Sequence, residues 1–116
     1  MRIMSSSGST IGYVKGDYVT NSSGSTVGRI SSDTVTNSSG STIGRIRSGS
    51  VTNSSGSTIA RYDSRSVMSS SGSTRFRFSS KSITNSSGST MFRLDEDPSR
   101  NLEAVVAWIV FFSDEW

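Results

Sequence analysis

The stretch VTNSSGSTIGRIRSGS, residues 35–50, decides the fold, because it returns with few changes along the chain at a spacing of 16 residues. Its Ser-Gly turn recurs six times, with Gly8, Gly24, Gly40, Gly56, Gly72 and Gly88 in equivalent places. A period of this size makes the repeat the unit of structure, since one short unit cannot cover an apolar face until its neighbours stack on it. Within the unit, β-branched residues flank Asn37-Ser38-Ser39-Gly40. Asn bonds to its own following backbone and Gly accepts a positive φ without a Cβ clash. These four residues therefore predict a hairpin built on a type I turn and closed by a bulged glycine. A second turn signal, Arg47-Ser48-Gly49 here and Lys15-Gly16-Asp17 earlier, closes the unit. Two strands per repeat follow, each of about three to six residues.

Working outward in register, three columns hold most of the apolar side chains. The first is Ile3, Val19, Val35, Val51, Val67 and Ile83; the second is Ile11, Val27, Ile43, Ile59, Arg75 and Met91, where only Arg75 breaks the pattern. The third is Val14, Ile30, Ile46, Tyr62, Phe78 and Leu94. Helix is excluded for this region, because 42 of the 116 residues are Ser or Thr, whose hydroxyls compete with helical backbone bonds. The expected class is all-β, with 16-residue hairpin repeats arranged as a solenoid or radially. A disordered Ser-Gly linker would need no apolar columns. The hydrophobic fraction is 31%, thin for a globular chain. Such a chain needs either a hollow β arrangement or other copies to complete its core.

Residues 1–98 form the expected repeat region, and 99–116 break the period, reading SRNLEAVVAWIVFFSDEW. Asp97 or Ser99 suits a helix cap with Pro98 beside it. Ala104 to Phe112 is an unbroken apolar run. Its Val, Ile, Trp and Phe content predicts a strand buried on both faces. A helix is the competing expectation, as periodicity does not separate the two in so short a run. Nine residues fall well short of the ~20 that a membrane-crossing helix requires. We expect Val105, Val106, Trp108, Ile109, Val110, Phe111 and Phe112 to act as an internal plug or as the contact of a homo-oligomer. One trend supports the plug: the column Gly12, Gly28, Gly44, Ala60, Phe76, Phe92 grows bulkier toward the tail.

Charge divides the chain. Residues 1–94 carry 11 basic and three acidic side chains, whereas 95–116 carry one basic and six acidic, so the two parts attract. Arg29, Arg45, Arg61, Arg77 and Arg93 share one column, and guanidinium forks suit phosphate, sulfate or carboxylate. This array is the candidate polyanion surface, weighed against a solvated outer face that protects strand edges. The Ser/Thr array is the corresponding candidate for glycans. Nucleic acid is disfavoured, because few aromatics accompany the early arginines to stack bases.

With no His and no Cys, there is no histidine-based triad, thiolate nucleophile or ordinary zinc site. Asp95, Glu96 and Asp97 lack the ligand spacing of a calcium loop. Neither lysine sits in a recognisable Ser-Lys motif, and no carboxylate pair suggests glycoside hydrolysis. The Asn-Ser-Ser triplets formally match an N-glycosylation acceptor, but turn chemistry accounts for them. No cofactor is expected. The first residues, MRIMSSSG, contain no apolar signal core, which makes a cytoplasmic location the default expectation.

The strands Val27-Gly28-Arg29-Ile30 and Ile43-Gly44-Arg45-Ile46, the 16-residue glycine beat and the terminal apolar run ending in Phe-Phe together resemble the beta-flower repeat proteins of gut Bacteroidetes. The resemblance covers nearly the whole chain. It implies petal-like hairpins around a centre that holds the terminal segment, with no established activity and no functional residues to carry over. This chain has six glycine turns where that family's description is five-fold. The reading is thus a non-enzymatic structural or interaction repeat protein, self-associating through its C-terminal segment, or else a surface binder of glycans or polyanions.

Overall fold

The structure is a computed structural model describing residues 1–113 and 115–116, with Arg100 described by its backbone alone. Asp114, one of the six acids counted in residues 95–116, lies outside the described residues. Each repeat folds into two strands: β1 (Arg2–Ser5) and β2 (Thr10–Lys15), β3 (Tyr18–Asn21) and β4 (Thr26–Ser31), β5 (Thr34–Asn37) and β6 (Thr42–Arg47). The series continues with β7 (Ser50–Asn53) and β8 (Thr58–Tyr62), β9 (Ser66–Ser69) and β10 (Thr74–Ser79), β11 (Ser82–Asn85) and β12 (Thr90–Leu94). Every strand pairs antiparallel with its sequence neighbours, and β1 pairs with β12, so the hairpins close radially into a barrel with no free edge.

The first turn has the expected chemistry. Gly40 stands at φ 92°, and the Asn37 Oδ1 accepts from the Ser39 N–H at 3.0 Å, the Ser41 N–H at 3.0 Å and the Ser39 hydroxyl at 2.7 Å. These bonds shape the loop from the side chain outward. At the opposite rim two-residue turns join β2 to β3, β4 to β5, β6 to β7 and β10 to β11, and residues 63–65 join β8 to β9; Ser48 and Gly49 both have positive φ, as the right-handed strand twist requires. One rim therefore carries six Ser-Gly loops and the other the tight turns.

A bulge recurs in every hairpin. In β5 and β6, Val35 faces Gly44 and Thr36 faces Thr42, leaving Ile43 as the extra residue. The second apolar column is this bulged position, half-buried rather than core, and Ile11 is 36% exposed. The first column, Ile3 to Ile83, is fully buried and points into the lumen. The third column adds Val14, Ile46, Tyr62 and Leu94.

The C-terminal run corrects one expectation: it is helical, not a strand. Asp97 accepts from the Ser99 N–H at 2.9 Å with Pro98 at the first position. A 3-10 turn (Pro98–Asn101) leads into α1 (Leu102–Ala107), which continues as a π turn (Trp108–Phe112) with the Ser113 N–H bonded to the Trp108 carbonyl at 2.9 Å. The reason is closure. A strand inside a closed barrel finds no free edge, and its buried N–H and C=O groups would go unpaired at a cost of about 1–3 kcal/mol each. A helix satisfies them within itself, and this outweighs the modest β preference of Val, Ile and Phe. A ring of twelve strands is roughly 20 Å across by strand spacing and tilt, room for a lining layer and one helix of about 10–12 Å.

Candidate functional site

The site with the most shape is the lumen. Val105, Val106, Ala107 and Ile109 have no exposed surface, and Trp108 and Val110 are nearly as buried, packed with the wall columns in one core. Phe111 and Phe112 are half-buried at the Ser-Gly rim. Of the two roles expected for this segment, the buried residues thus sit in the barrel of their own chain.

The wall is cut to fit them. A Cβ built at Gly44 would overlap the Phe111 ring and stand 2.6 Å from the Thr52 carbonyl oxygen. One at Gly28 would overlap the Phe112 ring and stand 2.6 Å from the Thr36 carbonyl oxygen. Farther round, the same column carries bulk: Phe92 meets Trp108 edge-on with centroids 5.0 Å apart, and Phe76 stacks on Trp116 at 6.2 Å. The size gradient in the sequence pointed to the late phenylalanines as tail contacts, and they are. It did not show that the early glycines are sockets for the tail's own rings.

Two polar contacts fix the ends of the segment. Near its entry, the Tyr62 hydroxyl donates to the Glu103 carboxylate at 2.6 Å. Burial pushes the Tyr62 phenol up to about 12, with the hydrogen bond to Glu103 adding to the rise. Near its exit, the Arg75 guanidinium lies 4.5 Å over the Trp116 ring and donates to the Trp116 main-chain oxygen at 2.8 Å. Arg75, the exception in the second column, is the clamp on the tail. Sequence reading marked the exception without its partner.

Both rims are indented beside the helix. A cleft of about 420 Å³ at the Ser-Gly rim is bordered by Ile11, Phe92, Trp108 and Phe112. One of about 540 Å³ at the other rim is bordered by Asp17, Asp33 and Glu103, of which Asp33 pairs with Arg47 at 3.5 Å. Among the described residues no group of acids is placed to share a metal ion.

The five column arginines are exposed on the outer wall at matching heights of alternate strands. Arg29 lies 4.6 Å over the Tyr18 ring, Arg45 donates to the Thr34 hydroxyl at 3.5 Å, Arg61 to the Ser70 carbonyl at 3.4 Å and Arg93 to the Ser6 carbonyl at 3.1 Å. Arg77 pairs across to Thr84 in the ladder. Closure distributes these arginines as a belt, neighbours about 10 Å apart by strand spacing, instead of one flat face.

Among the described residues no helix is long and apolar enough to cross a membrane. No curated protein and no solved structure matches the chain. Its six hairpin petals around a terminal segment do have a counterpart among known families, matched over residues 1–113, and on that match the chain belongs to the 5-fold beta-flower protein family, built here with six units.

Proposed function

We propose that the protein is a non-catalytic interaction module: a barrel stabilised from within by its own C-terminal helix, which meets polyanions through the outer arginine belt. The observation that carries this reading is that five arginines stand exposed at equivalent outer positions, and that Arg29, Arg45, Arg61 and Arg93 contact neutral groups, leaving their charge available to an external phosphate or sulfate. The lumen, by contrast, is filled with apolar side chains.

Because the belt curves round the barrel, a straight polyanion reaches two or three arginines at once. Retention on heparin is expected to fall with a slope in log salt of about 2, at just under one per neutralised charge. Replacing all five arginines with Gln should abolish it. Retention that survives in the five-fold variant would remove the belt from the function.

Self-association is a second reading, supported by the half-buried Phe111 and Phe112 and the exposed Ile11 at one rim. Val105, Val106, Trp108, Ile109 and Val110 are spent inside the barrel, so assembly falls to the rim phenylalanines. Sedimentation over a hundredfold concentration range tests it; a constant monomer mass would set it aside.

A further inference from the structure

One position on the belt carries a second guanidinium. The residue two places after each member of the arginine column is Lys15, Ser31, Arg47, Asp63, Ser79 or Asp95, so only the third repeat follows one arginine with another. On β6, Arg45 and Arg47 flank the buried Ile46 and both stand on the outer wall, about 7 Å apart along the strand. In the ladder Arg45 faces Thr52 and Arg47 faces Ser50, on either side of the buried Val51 of β7. These four side chains and Asp33 border an outer cavity of about 190 Å³.

Asp33 sits in the turn between β4 and β5, and its carboxylate pairs with the Arg47 Nε at 3.5 Å. The Arg47 side chain is 76% exposed and that of Asp33 43%, so water screens the pair and another anion readily replaces it. Arg45 donates only to the neutral Thr34 hydroxyl, at a long 3.5 Å. Two guanidiniums against one carboxylate leave the pocket positive. Asp33 thus occupies the place of an external oxyanion.

We infer that this pocket binds a phosphate group, free or carried as a monoester, with Asp33 as its displaceable internal competitor. The inference rests on the polyanion function proposed for the belt, with which it shares Arg45. Its volume is below the range of about 300–1,000 Å³ that encloses a drug-sized ligand, so the pocket takes a charged group and leaves any carrier outside. A phosphate monoester carries about −1.5 to −2 charges at neutral pH on three free oxygens. It meets both guanidinium forks and the hydroxyls of Ser50 and Thr52 together. A carboxylate has two oxygens, which a single fork satisfies, and a sulfate ester has one charge.

The test is an amide-shift NMR titration of the full chain with inorganic phosphate, glucose 6-phosphate and glucose 6-sulfate, with glucose as the neutral control. Saturable shifts centred on Arg45, Arg47, Ser50 and Thr52 are expected from phosphate, at least about threefold weaker affinity from the sulfate ester, and no shifts from glucose. Binding of either phosphate supports the pocket, and the tighter of the two names the source. Arg47→Gln should weaken phosphate at least about tenfold by removing a charge-assisted contact, while the five belt arginines and their heparin retention stay in place. Asp33→Asn should tighten phosphate about two- to fivefold by removing the competitor. Asn suits the φ of 71° at this position, so the turn is kept. Absent shifts, or shifts spread evenly along the belt, overturn the pocket, and so does Asp33→Asn binding no tighter than the parent. Each of these results leaves heparin retention by the belt standing, so pocket and belt fall separately.

Discussion

The two sides of the barrel wall solve one packing problem in opposite ways. On the side of β4 and β6 the wall contributes nothing, Gly28 and Gly44, and the helix contributes Phe112 and Phe111. On the side of β10 and β12 the wall contributes Phe76 and Phe92, the helix offers Trp108 and the tail after it offers Trp116. In a near six-fold wall, hydrophobic burial alone would leave the helix free to rotate among equivalent settings. The glycine-to-phenylalanine gradient removes that freedom, because a ring turned away from its socket meets a filled wall. Complementary volume selects one setting, as expected where interiors are packed close to crystal density.

The comparison breaks most violently on its bulky side. Phe92→Ala deletes a ring that is 5% exposed and in edge contact with Trp108, and should cost about 3–5 kcal/mol in a denaturant titration. A loss under about 1 kcal/mol would mean that Phe92 fills no essential space. On the thin side the effect has the other cause, overpacking. Gly44→Ala should cost about 1–3 kcal/mol, although Ala60 is fully buried at the equivalent place one repeat later. Phe111→Leu in the same chain should recover part of the loss; additive effects of the two changes would separate the socket from the ring.

Tyr62, midway between the two sides, sharpens the comparison through pH. Its phenol is held protonated, to about 12 against an ordinary 10.0, by burial and by Glu103. A group raised in the folded state stabilises fully below its unfolded value and loses that contribution as pH rises through the folded one. The window is therefore pH 10 to 12. Tyr62→Phe should cost about 1 kcal/mol at neutral pH, as Glu103 is exposed and rehydrates, and should flatten the alkaline decline. Parallel decline of parent and variant through that window would detach Tyr62 from it.

What could be read from the residues follows the range of the interactions. Asn37 and Gly40 act on atoms two to four residues away, so the hairpin and its turn were legible. The first and third columns were legible as core because alternation is local. Bulges were not: nothing in Thr42-Ile43-Gly44 taken alone shows Ile43 to be the surplus residue, half-buried where the first column is fully buried. The helical state of Ala104 to Phe112 was hidden for a different reason, since it depends on β1 pairing with β12 some 90 positions away. Only after closure does a strand lose its partner. Charge was legible in amount but not in use; Glu103 meets a tyrosine, and Arg75 meets a tryptophan instead of an acid.

Arg75 gives the smallest effect and the cleanest discrimination. The other five repeats hold Ile11, Val27, Ile43, Ile59 and Met91 at this bulged position, so Arg75→Ile restores the pattern while removing the contact with Trp116. Arg75 is exposed, and a cation–π pair in that setting is worth about 0.5–1 kcal/mol, partly offset by the apolar replacement. The midpoint of unfolding should move little. The tail should loosen, however, because the guanidinium both covers the ring at 4.5 Å and holds the Trp116 main-chain oxygen at 2.8 Å. In a Trp108→Phe background Trp116 is the sole tryptophan, and its quenching by acrylamide should rise in Arg75→Ile. If quenching stays level, stacking on Phe76 alone holds the tail, and the break in the column has no role in seating the plug.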